Sequence, residues 1–249
     1  IHGCLVGSEM CIRDSIEEIN FDYVDESTNC KGVLFLPESS SRCPAVLVAH
    51  TWKGISDFEI NKAKELAKLG YAGLAIDIFG NGVNGKNIEE NQALIKPFVD
   101  NRKKFRTRVA SAISAIKSHP SIDGGKIGLI GYCFGGMAVL EIARSGLDVS
   151  GVVSFHGLLN RSEEPINKIH SKILVLHGDK DPMVPRDIVQ DFYDEMDESD
   201  ANWEFISYGN AMHAFTNPEA NDPSFGTQFN ETANQRSWNS MKLFFEEVF

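Results

Sequence analysis

From about Ser15 onward the chain alternates short apolar or β-branched runs with longer stretches whose apolar residues recur at helical spacing. This alternation predicts an α/β protein with a mostly parallel central sheet of about seven or eight strands and helices on both faces. The expected strands are 32–36, 45–49, 72–76, 127–130, 151–155, 173–176 and 203–207, with 16–21 as a weaker one. Several are continuous apolar runs, which is the pattern of strands covered on both sides. Between them, 57–69 places Ile60, Ala63, Leu66 and Ala67 on one helical face and ends at Gly70. A second helix, 101–117, carries Phe105, Val109, Ala112, Ile113 and Ile116 and stops before Pro120. Helices are also expected over 134–144, 186–196 and 232–248.

Gly- and Asn-rich 80–87 predicts a loop, and 37–44 a turn between two early strands. Residues 210–226, with two prolines, predict a long loop after the last strand, a place where function often sits. No repeat or linker divides the chain, so 16–249 is expected to be one domain. Residues 1–15, IHGCLVGSEMCIRDS, lack the features of a signal peptide and read as translated adapter sequence or a disordered, non-native tail.

Composition narrows the partners. A hydrophobic content of 42% supports a sizeable core, and a net charge of -11 opposes a sequence-independent grip on nucleic acid or anionic membrane. No apolar run reaches the roughly 20 residues of a membrane-spanning helix. Five cysteines, scattered and without a CxxC or zinc-type spacing, read as reduced thiols of a cytoplasmic protein. A small molecule is the expected partner, and the chain is expected to be a monomer or small homo-oligomer.

Chemistry enters at Gly131-Tyr-Cys133-Phe-Gly-Gly136, directly after the apolar run 127–130. Strand, GxCxG and helix together form a nucleophile elbow: a sharp turn strains the central residue, and its neighbours must be small. The following helix points its N-terminus at the sulfur and favours thiolate. Such a nucleophile needs a base and an orienting acid, which follow it in the order acid, then histidine. The segment HGDKDPMVP supplies Asp179 or Asp181 past one strand, and AMHAF supplies His213 past the last. All three positions fall at carboxyl ends of parallel strands, where open α/β sheets bind ligands.

With GYCFGG, HGDKDPMVP, MHAF, AHTWKG and LAKLGYAGLAIDIFGNG assembled, the chain resembles the dienelactone hydrolase family of the α/β-hydrolase fold from about residue 16 to its end. The resemblance implies a hydrolase of esters or lactones, with Cys133 as nucleophile, Asp181 as acid and His213 as base. It also implies an oxyanion hole built from the backbone N–H groups of Trp52 and Phe134, and no cofactor or metal. The family's oxyanion-loop glutamate corresponds here to Thr51. Its two substrate-binding arginines correspond to Asn81 or a neighbour and to Asn217, and asparagine lacks the charge-assisted grip of arginine. Lys53 is the nearby cation, and Trp52, Phe79, Phe134 and Phe215 are candidates for an apolar pocket wall. His50, His156 and His177 also lie at strand ends, where they either gather a metal or hydrogen-bond loop backbone around the site. Two other functions fit the same residues: a redox sensor resolving Cys133 through Cys30 or Cys43, and a small-molecule binding protein without catalysis.

Overall fold

The structure, a computed structural model, describes residues 16–38 and 41–249; the N-terminal stretch 1–15, with Cys4 and Cys11, lies outside the described residues. The chain begins with β1 (Glu17–Asp25), β2 (Thr28–Leu36), β3 (Cys43–Ala49), α1 (Asp57–Lys68), β4 (Ala72–Ile76), α2 (Ile88–Val99), α3 (Arg102–Lys117) and β5 (Ile122–Tyr132). It continues with α4 (Phe134–Arg144), β6 (Gly151–Phe155), β7 (Lys172–Gly178), α5 (Arg186–Glu198) and β8 (Trp203–Tyr208). A two-residue hairpin, β9 (Asn221–Asp222) with β10 (Thr227–Gln228), precedes α6 (Glu231–Val248).

Eight strands form one sheet in the order β1-β2-β4-β3-β5-β6-β7-β8. The β1–β2 and β2–β4 pairs are antiparallel and every later neighbour is parallel, so β3 to β8 end on one edge. This is the α/β-hydrolase architecture expected above. Both faces are covered, which explains the unbroken apolar runs. In β3, Ala45, Leu47 and Ala49 enter one core while Val46 and Val48 enter the other. In β7, Ile173 and Val175 oppose Leu174 and Leu176 in the same way. Each such buried valine, leucine or isoleucine contributes about 1.5–3 kcal/mol. The first core also takes Phe105 and Val109 of α3, Met137 of α4 and Phe192 of α5; the second takes Leu66 of α1 and Phe245 of α6.

Several elements depart from expectation, β2 and β5 among them, which begin at Thr28 and Ile122 rather than at 32 and 127. Helix α2 was not expected, because Pro97 in its last turn and its polar first turn break the apolar pattern. Its start is nonetheless fixed, since the Asn87 side chain accepts from the Glu90 N–H at 2.9 Å. Strand β1 runs longer than its weak alternation implied. The loop after β8 is partly ordered by the β9–β10 hairpin. Among the described residues, no helix is long and apolar enough to cross a membrane.

Candidate active site

Strand β5 delivers Cys133 at φ 56°, ψ -115°, a left-handed backbone that a non-glycine residue adopts only under constraint. The constraints are visible. Cys133 N–H donates to the Phe155 carbonyl at 3.1 Å, and its own carbonyl accepts from Gly136 N–H at 3.0 Å to open α4. A side chain on Gly131 would strike the Gly135 carbonyl, one on Gly135 would strike the Ala49 and His50 carbonyls, and one on Gly136 would meet Gly157 Cα at 2.5 Å. The glycines therefore bring the residues after β3 against the start of α4. Cys133 caps α4 without spending its side chain on the cap, and it is half-buried.

His213 lies in the loop after β8 and is buried. The hairpin holds its backbone from both sides: His213 N–H donates to the Gly226 carbonyl at 3.0 Å, and its carbonyl accepts from Gln228 N–H at 3.1 Å. Its Nδ1 meets Asp181 Oδ2 at 2.7 Å. Asp181, buried in the turn after β7, uses Oδ1 to accept from Met183 N–H at 2.9 Å. Asp179, the alternative acid, faces outward and pairs with Arg186 at 3.2 Å. His213 Nε2 is buried and has no strict hydrogen-bond partner among the described residues. The Cys133 sulfur nonetheless acts on the imidazole. Burial disfavours a charged ring, but the negative charge of Cys133 and the bond to Asp181 outweigh it and lift His213 to about 10.

The strand-end histidines His156 and His177 both favour the neutral ring. His156 Nε2 lies 2.8 Å from Thr216 Oγ1 and its ring centroid is 5.2 Å from that of His213. Burial, then the charge of His213, hold its pKa well below the ordinary value. His177 is likewise lowered by burial. Among the described residues no three His, Cys, Asp or Glu side chains gather as a metal-binding group.

Trp52 and Phe134 lie at the turn after β3 and the first position of α4, where helix geometry leaves the N–H groups without intrahelical partners. Trp52 stacks on Phe225 of the hairpin at 6.2 Å between centroids, and Phe225 is 44% exposed. Phe79 packs between His50 and Phe134 at 4.5 Å and 5.8 Å. Thr51 donates its N–H to Glu59, a residue the sequence reading passed over. Phe215 is fully buried behind His156, at 5.1 Å, in the core beneath α6 rather than in a pocket wall. Asn81 is exposed and its N–H is tied to the Asn29 carbonyl at 2.6 Å. Asn217 spends its side chain on Glu219 N–H at 3.0 Å, and Lys53 is exposed. Cys30 and Cys43 are free and buried on β2 and β3, and burial raises both thiols, Cys30 to about 11.

The profile of the dienelactone hydrolase family matches residues 30–249. An uncharacterized protein of Caenorhabditis elegans is 38% identical over 154 residues, covering 60% of this chain and 98% of the relative. A probable 2-oxo-3-(5-oxofuran-2-ylidene)propanoate lactonase of Bradyrhizobium sp is 29% identical over 92% of this chain and 94% of its own. Among solved structures, a dienelactone hydrolase-like promiscuous phosphotriesterase from metagenomic libraries superposes with a TM-score of 0.90 at 33% identity, covering 94% of this chain and 99% of that one.

Proposed function

Because the chain belongs to the dienelactone hydrolase family, we propose that residues 16–249 act as one domain that hydrolyses a small-molecule ester or lactone through a thioester on Cys133. The observation that carries this reading is a buried imidazole whose Nδ1 lies 2.7 Å from Asp181 Oδ2, together with Cys133 held at φ 56° at the start of α4.

In the mechanism proposed, the reacting form carries the proton on His213 and presents the sulfur as thiolate. The thiolate adds to the carbonyl carbon, and the carbonyl π electrons move to oxygen, where the N–H groups of Trp52 and Phe134 receive them. Collapse expels the alkoxide, which takes its proton from His213 Nε2 and leaves a thioester. The consequence for the base is direct. Once sulfur is acylated, its negative charge no longer supports the imidazolium, so His213 stays neutral after giving up its proton and is free to accept one from water. The hydroxide so formed displaces the thiolate, releasing the acid and restoring the ion pair. Asp181 keeps the proton-bearing Nδ1 oriented throughout. The same donors suit a phosphoryl centre, and the likeness to a promiscuous phosphotriesterase favours an aryl phosphotriester as a second probe.

Mixing the protein with excess p-nitrophenyl butyrate and quenching in acid is expected to trap an acyl group on Cys133, located by peptide mass and removed by hydroxylamine. An adduct on another residue, or turnover without any adduct, would remove the thiol from the mechanism. The pH profile supplies a second check. His213 is raised, so its proton is present below and lost as pH rises through about 10. For an alkyl ester, whose leaving alkoxide needs that proton, acylation is therefore expected to persist through neutral and mildly alkaline pH and fall near 10, and Asp181→Asn is expected to move that limb lower. A limb already at the ordinary imidazole value in the wild type would dismiss the ion pair.

A further inference from the structure

We propose that Glu59 positions the oxyanion-binding amide of Trp52 from the first turn of α1, with His50 holding the adjoining carbonyl; the inference rests on the thiol hydrolase reading above.

The local sequence Ser56-Asp-Phe-Glu59 is a capping box, in which a glutamate at the third helical position bonds back to the N-cap. That task needs one carboxylate oxygen and leaves the side chain at the surface. Here Glu59 is fully buried, and among the described residues no lysine or arginine is paired with it. Its two oxygens are divided between two duties. Oε2 accepts from Ser56 N–H at 2.9 Å and Ser56 O–H at 2.6 Å, completing the cap. Oε1 reaches out of the helix and accepts from Thr51 N–H at 3.1 Å. A helix cap stabilises by much less than the burial of a carboxylate without a cation costs. The cap alone does not account for the burial, and the bond to Thr51 gives the second oxygen a partner of its own.

The other end of Thr51 is held as firmly. Its carbonyl accepts from Gly54 N–H at 3.4 Å, closing the turn 51–54, and lies 2.6 Å from His50 Nδ1. His50 Nε2 accepts from Ile78 N–H at 3.1 Å, which leaves the ring proton on Nδ1 to be donated to Thr51. Burial favours the neutral ring, so both of its nitrogens are engaged. The Thr51 carbonyl and the Trp52 N–H belong to one trans peptide and point in opposite directions. Anchoring Thr51 at both its N–H and its C=O therefore fixes the heading of the Trp52 N–H. As the second residue of the turn, Trp52 has an N–H that the turn does not use. An oxyanion donor accelerates the reaction only if it is aimed beforehand, and Glu59 with His50 supplies that aim.

Two rates separate this role from a structural one. Iodoacetamide alkylation of Cys133 needs the thiolate but no oxyanion hole, whereas ester hydrolysis needs both. Glu59→Gln, which presents an amide to three donors, is expected to lower kcat for p-nitrophenyl butyrate by on the order of 100-fold with little change in KM and with the alkylation rate kept within about twofold. Glu59→Asp keeps the charge but falls about one methylene short of Thr51, and gives the same split if Glu59→Gln does not fold. Ser56→Ala removes the cap hydroxyl but not the Thr51 bond, so it is expected to lower the melting temperature without the loss of kcat. The inference is overturned if the glutamate variants keep wild-type kcat, or if alkylation falls in step with hydrolysis. Failure of the underlying reading looks different: wild-type protein that alkylates but forms no acyl-enzyme.

Discussion

Cys133→Ala is expected to reduce ester and lactone hydrolysis by roughly ten-thousandfold to a millionfold while leaving a cooperative unfolding transition. The size follows from what the substitution removes. Without sulfur there is no thioester, and His213 has only water to activate from a site shaped for a nucleophile covalently fixed at the elbow. The residual rate is what the oxyanion donors and binding supply on their own. The fold is expected to survive because alanine keeps the Cβ that the elbow already accommodates at φ 56°, and the thiol takes no part in capping α4. His213 loses the group that most favours its charge, so it becomes more acidic in the variant. Hydrolysis assays at equal protein concentration, beside thermal melts, check both halves. Activity within tenfold of wild type would show that another group attacks, and the reading of Cys133 as a binding-site or redox thiol would take its place.

What the sequence made legible follows the range of the interactions involved. Strands β3, β4, β6 and β7 were readable because each is buried on both faces, so burial alone dictates the run of residues. The three residues of the elbow, acid turn and histidine loop were readable because each sits at a fixed offset from such a strand. Asp181 could not be told from Asp179 by residues alone, since both lie in one short turn; the pairing with His213 depends on how the turn winds. Phe215 was a candidate for a pocket wall, yet with Ala214 at φ 57° between it and His213 its ring lies in the core beneath α6. Glu59 was missed although its capping-box spacing was in view. Its second bond, to Thr51, crosses a folded-back turn that no local pattern announces. The stacking of Phe225 on Trp52 is unreadable for the same reason, since it joins segments that only the closed sheet brings together.

The largest stability effect is expected from Glu195→Ala, which should lower the free energy of unfolding by about 3–5 kcal/mol. Arg144, at the carboxyl end of α4, is 1% exposed. Glu195 of α5 grips it at both oxygens, 2.6 Å to Nε and 2.8 Å to one terminal nitrogen. Glu141 holds the other terminal nitrogen at 3.1 Å and passes its second oxygen to Arg106 of α3 at 2.8 Å. Arg144 also donates to the Leu159 carbonyl at 2.8 Å, so one guanidinium ties α4, α5 and the segment after β6 together. Truncating Glu195 leaves Arg144 buried and shares Glu141 between two arginines, and the loss is the cost of that uncompensated charge rather than the worth of the pair. The double variant Arg144→Met with Glu195→Leu removes the charge together with its partner and is expected to recover most of the loss. Urea unfolding of the wild type, Arg144→Met, Glu195→Leu and the double variant closes the cycle, with Glu195→Ala measured beside them. A Glu195→Ala midpoint indistinguishable from wild type would mean that Glu141 alone satisfies Arg144. A double variant no better than the single would mean that the network holds its helices by geometry that packing cannot replace.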